Sequence, residues 1–147
     1  MDSSRKRRIG RLVAARSRVL DAARGELGRA QRATSEAAAA ELAAERAWAD
    51  RAEALATASF PDVDAILDSR AHLDGLRLGA EAATKTSERA RDEEVLRREA
   101  CIAAEREVKK VEIWRDRIEE ADRARVARQE RVTADEIAAR TFAKEAT

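Results

Sequence analysis

The sequence is poor in the residues that punctuate a chain. Its 147 residues include one proline and five glycines. So few breakers cannot close a fold of many short elements. Tyrosine is absent and aromatics make up 3%. The 44% hydrophobic share is dominated by 35 alanines, which leaves 30 larger apolar side chains. Thirty are too few to fill a globular core for a chain of this length. One cysteine excludes an internal disulfide and a cysteine-rich metal site. The longest uncharged run, Ala54 to Pro61, falls far short of the roughly 18 residues of a membrane span. Arg5-Lys6-Arg7-Arg8 has the look of a signal-peptide start, but no apolar stretch follows it. The simplest expectation is a cytoplasmic chain without membrane insertion.

Charge is abundant. Charged residues make up 40%, with 30 basic against 29 acidic. A net charge of +1, with Ala, Arg, Leu and Glu as the main components, favours long helices over disorder. Ser59-Phe60-Pro61-Asp62 is the one strong interruption. Pro61 cannot continue a helix, and it biases Phe60 away from the α region. Asp62 can cap a following helix, with Asp64 in its first turn to suit the dipole. The expected fold class is all-α: a long two-helix antiparallel coiled-coil hairpin, single over residues 1–147, with the second helix longer than the first. Helix one is expected over about 5–58, the turn over 59–61 and helix two over about 62–142.

Ile9, Val13, Arg16, Leu20, Ala23, Leu27, Ala30 and Thr34 recur at alternating steps of four and three, the spacing of a coiled-coil seam. Beyond Thr34 the apolar phase slips through Ala37, Ala38 and Leu42 and resumes at Trp48, Ala52 and Leu55, which reads as a stutter. Helix two begins with Val63, Ile66, Leu67, Leu73, Leu76, Ala80 and Ala83. Its pattern weakens across Thr84 to Glu94 and resumes at Val95, Ile102, Val108, Val111, Ile118 and Ala121. A turn centred on Phe60 and Pro61 places residue i opposite roughly residue 121 − i, so Ile9 falls near Glu112. At 1.5 Å per residue the helices measure about 80 and about 120 Å, and residues past about 117 have no partner in their own hairpin. That overhang either meets another protein or frays.

Charge is unevenly placed. Residues 1–32 carry 10 basic and 3 acidic side chains, so +7; residues 61–96 carry 5 and 9, so −4. In a hairpin this makes the open end basic and the turn end acidic, and the two should prefer different partners.

No catalytic constellation stands out. His72 is the only histidine and reads as a helix-surface residue. Cys101 reads as a small buried thiol, with no second histidine to activate it. Gly25-Glu26-Leu27-Gly28 lies in helical pattern and lacks the Lys-Ser/Thr of a phosphate loop. No catalytic residue, metal ligand or cofactor is expected. Gly75 and Gly79, four apart, either admit a partner backbone or mark a flexible stretch. The basic start gives only a weak nucleic-acid signal, without aromatic interleaving or a helix-turn-helix.

In the C-terminal stretch, seven-residue spacing links Val111, Ile118, Arg125, Val132 and Ala139, and also Trp114, Ala121, Arg128, Asp135 and Phe142. Charges in those lines disfavour a homodimer seam and suit insertion among charged groups of a different protein. Trp114 is either an exposed anchor or a packed end-of-core residue. The stretch Arg128-Gln129-Glu130-Arg131 leads into Asp135-Glu136-Ile137-Ala138-Ala139-Arg140.

With its two-helix layout and early turn, this ending resembles the stalk proteins of type III export, the flagellar FliJ and injectisome YscO group. The resemblance implies a non-enzymatic central stalk similar to the rotor stalk of rotary ATPases. The open end of such a stalk enters the hexameric export ATPase and promotes its assembly and activity. Its turn side is implicated in contact with the export gate, and some members bind export chaperones. It also implies a cytoplasmic protein at the membrane export apparatus, binding no nucleic acid and monomeric when free. On this chain, ATPase contact falls to Arg7, Arg8, Arg11, Trp114, Ile118, Arg125, Arg128, Val132, Asp135, Glu136 and Arg140. Gate contact falls to Trp48, Phe60, Leu73 and Leu76. The alternative is a generic scaffolding coiled coil that forms oligomers, with a nucleic-acid binder behind it.

Overall fold

The computed structural model describes residues 3–145. Two α-helices pack against each other, α1 over Ser3–Ala56 and the longer α2 over Val63–Glu145. No strand occurs among the described residues. Helix one ends in a loose exit, with the Ala58 amide donating to the Leu55 carbonyl at 3.4 Å. Asp62 caps helix two as its sequence position suggests: its Oδ1 accepts from the Ala65 amide at 2.8 Å. Asp64 follows in the first turn, where a carboxylate suits the helix dipole. The chain divides into two compact units. One joins helix one up to Leu20 with helix two from Ala104 onward; the other is Asp21–Ala103.

In the second unit the seam of helix one runs through Ala23, Leu27, Ala30, Thr34, Ala37, Glu41, Ala44, Trp48, Arg51 and Leu55, all but Trp48 buried or half-buried. The steps alternate four and three throughout, so the expected stutter does not exist. Glu41 and Arg51 occupy seam positions, while Leu42 lies exposed beside the seam. The facing seam runs through Leu73, Leu76, Ala80, Ala83, Ser87, Ala90, Glu94, Arg97 and Cys101. It does not weaken where expected. Its occupants there are small or polar, and Val95 and Ile102 are exposed off the seam.

The register also differs from expectation. Thr34 Oγ1 donates to the Ala90 carbonyl at 3.1 Å, a pair whose numbers add to 124 rather than 121. This shift leaves the first turn of helix two past the end of helix one, and Val63, Ile66 and Leu67 are exposed there rather than on the seam.

In the first unit Ile9, Val13 and Leu20 face Ala104, Val108, Val111, Arg115, Ile118 and Asp122 along the same heptad, with Ile9, Leu20 and Ala104 buried. Ile9 shares a cleft with Arg115, Ile118 and Glu119, not with Glu112. The second seam line of helix two therefore passes through Arg115 and Asp122. The expected line through Trp114, Ala121, Arg128, Asp135 and Phe142 is displaced by one residue, and every member of it is exposed.

Burial of large apolar groups is scarce. Of the buried apolar residues among those described, only Ile9 and Leu20 have sizeable side chains, each contributing roughly 1.5–3 kcal/mol. Much of the order therefore comes from intrinsic helix propensity and from pairs such as Arg97–Glu93 and Arg98–Glu94, both at 2.7 Å. Pairs of this i,i+4 kind add about 0.2–0.5 kcal/mol each.

Candidate partner-binding surfaces

The first unit holds all of the residues expected to meet an ATPase. Arg7, Arg8 and Arg11 are exposed on the opening turns of helix one. That helix has no acidic residue in its first turn. Arg5 and Lys6 stand in that first turn, where cations oppose the helix dipole, and Arg7, Arg8 and Arg11 extend the positive charge beyond it.

On helix two the covering by helix one stops at Asp122. Every residue from Arg123 to Lys144 is exposed. Those residues carry 6 basic and 3 acidic side chains. Arg125 pairs with Asp122 at 3.6 Å and, with Arg128, Gln129, Val132 and Thr133, lines a shallow depression along the helix surface. Asp135, Glu136 and Arg140 stand exposed, as do the apolar Val126, Ile137 and Phe142. Ile118 is different: it is half-buried and lines, with Lys6, Ile9, Gly10, Arg115 and Glu119, a cleft of about 190 Å³. Trp114 is exposed one position off the seam, so it is not a packed end-of-core residue. Arg115 is held firmly charged, first by its hydrogen bonds to Asp116 at 2.9 and 3.0 Å and then by Glu119 and Glu112.

In the second unit, Trp48 is exposed at the seam edge, while Phe60, Leu73 and Leu76 are half-buried. Leu73 and Leu76 thus spend part of their surface on the hairpin, and Val63, Ile66 and Leu67 offer more free apolar area. At the middle of this unit lies a polar layer that sequence reasoning missed. Glu41, its side chain 17% exposed, receives Arg91 at 3.5 Å. Ser87, with no exposed surface, and Thr84 hold the Glu41 carboxyl below the ordinary carboxylate range, with a smaller contribution from Arg91. Ser87 Oγ faces that carboxylate without closing a hydrogen bond of ordinary geometry. The signal was the heptad itself: continued without a slip past Thr34, it lands on Glu41.

His72 is exposed and Cys101 buried, and no group of three or more metal-ligating side chains converges among the described residues. Gly75 and Gly79 have open space where a Cβ would stand, so helix one makes no close approach there. No helix among the described residues is long and apolar enough to cross a membrane.

A family model described as the flagellar FliJ protein matches residues 5–147, nearly the whole chain. The chain belongs to the flagellar FliJ protein family. Membership makes it a component of the flagellar export apparatus, in a family of structural, cytoplasmic export-apparatus proteins. The helical hairpin agrees with a FliJ family member. No curated protein and no solved structure matches the chain.

Proposed function

We propose that this FliJ family member is a non-enzymatic central stalk that inserts into the hexameric export ATPase, promotes its assembly and activity, and couples it to the export gate. The observation that carries the reading is the overhang from Arg123 to Lys144, helical yet exposed on every face. A lone charged helix of this length is only marginally stable in water, so its natural state is a bound one. The basic start of helix one adds support. Its cations are unfavourable for the helix and favourable for an acidic or carbonyl-lined partner surface. Arg7, Arg8, Arg11, Arg125, Arg128, Asp135, Glu136 and Arg140 steer and register the stalk, while Trp114, Val132 and the exposed part of Ile118 supply apolar contact. Gate contact is assigned to Trp48, Phe60, Leu73 and Leu76, joined by the more exposed Val63, Ile66 and Leu67. Export chaperones are further partners.

The test is ATP hydrolysis by the cognate export ATPase, titrated with the full chain and with Arg125→Glu/Arg128→Glu/Arg140→Glu. Full-length protein should stimulate hydrolysis and hexamer formation. The triple variant should do neither while keeping its helical circular dichroism. Equal stimulation by both would remove the overhang from the contact. No stimulation by either would favour a scaffolding coiled coil.

A further inference from the structure

The two flanks of the first unit's hairpin differ in character. One is marked by the cleft that brings Gly10 of helix one beside Glu119 of helix two. Along it run Glu105, Glu112 and Glu119 at seven-residue spacing, an acidic ridge beside small residues. The other flank is marked by Glu107, which accepts from Lys110 Nζ at 2.6 Å and whose carboxyl is lowered first by Lys110 and then by Arg16 of helix one. Arg16, Glu107 and Lys110 therefore stand on one side of the hairpin.

Helical spacing fixes what else stands there. Leu12 is four residues before Arg16 and Val19 three after it; Trp114 is four after Lys110. Leu12, Val19 and Trp114 are 37%, 55% and 47% exposed. Three large apolar side chains contributed by both helices thus share a face that the hairpin does not cover. The rim is basic. Arg8 precedes Leu12 by one turn, Arg117 follows Trp114 by about one turn, and the one acid on this face, Glu107, is already engaged by Lys110.

We propose that this flank docks an acidic amphipathic helix of a partner protein as a third member of the coiled coil. The repeat of seven between Leu12 and Val19 matches the spacing at which a helix laid in the groove presents its apolar stripe. Trp114 is the anchor, and Arg16, Lys110 and Arg117 select acidic residues on the stripe's edges. This site does not depend on the overhang, although it shares Trp114 and Arg8 with the ATPase contact proposed above.

A Trp48→Phe background leaves Trp114 as the sole tryptophan and reporter. The probe is a synthetic four-heptad helix with Leu at the seam positions and Glu at the flanking ones, beside a counterpart with Lys for Glu. The Glu peptide should shift Trp114 emission to the blue and saturate. Lys110→Glu/Arg117→Glu and, separately, Leu12→Ala/Val19→Ala should each weaken it about tenfold or more, with helicity kept. The Lys peptide should not bind. Equal binding of both peptides, no shift with the Glu peptide, or unweakened binding by either variant overturns the proposal. So does a blue shift that follows protein concentration alone with a doubled mass, which would assign the face to a second copy.

Discussion

Ser87 is the most enclosed side chain of the described residues, and it is polar. Its hydroxyl closes no hydrogen bond of ordinary geometry, yet it is the main group holding the Glu41 carboxyl down, so losing it removes part of that stabilisation, whereas enlarging it forces the helices apart. Ser87→Ala should cost about 0.5–1.5 kcal/mol at pH 7, and Ser87→Leu should cost about 1–3 kcal/mol, both read from urea unfolding. The neighbouring Glu41 makes a pH prediction. Its carboxyl is lowered from 4.5, chiefly by Ser87 and Thr84. A group lowered in the folded state stabilises it above its unfolded value, and that stabilisation is lost as pH falls through the folded value. Glu41→Gln should therefore lower the thermal midpoint at pH 7, with the gap to wild type closing as pH drops below 4.5. A gap that stays constant across that range would show that the carboxylate charge contributes nothing.

At the scale of the helices, seam and surface are separated by single residues. Ile102 is adjacent to Cys101, yet Cys101 is buried and Ile102 exposed. Ile102→Glu should change stability by less than about 0.5 kcal/mol. Leu20→Ala, at a buried seam position, should cost about 2–5 kcal/mol. Thermal or urea melts of the pair decide whether the seam runs through Cys101 or through Ile102, where a purely apolar reading of the sequence put it. That contrast shows why the fold was legible and the seam only partly so. Pro61, Asp62 and the helix-forming composition announce two helices and the turn between them. The phase of the seam was read from apolar residues, and where the seam is occupied by Glu41, Ser87, Glu94 and Arg97 that signal disappears. Leu42, Val95 and Ile102, lying beside it, drew the reading off by one position. The same one-residue displacement put Trp114 and Arg128 on a seam line that passes through Arg115 and Gln129. Leu12 and Val19 lie off the stripe of Ile9, Val13 and Leu20, so their exposure is legible in the heptad, whereas the phase that puts Trp114 off the seam of helix two is not.

For the molecule as a whole, the decisive quantity is the mismatch between helices of 54 and 83 residues. A hairpin with such unequal arms cannot satisfy its longer helix internally. The remainder is left to a second copy, to a different protein or to solvent. The unpartnered stretch places Arg125, Gln129, Val132 and Glu136 where the seam would continue, and a seam with Arg and Glu in it pairs poorly with itself. The free chain should therefore sediment as a monomer of 16.2 kDa at micromolar concentration. Amide hydrogen exchange then locates the uncovered part. Helical amides from Arg123 to Lys144 open locally at little cost, because few buried contacts hold them. They should exchange much faster than those around Leu20 or Ser87 in the free protein, and slow markedly when the export ATPase is added. Protection of that stretch in the isolated monomer, equal to that around Ser87, would mean the helix needs no partner, and the strongest support for the stalk reading would be gone.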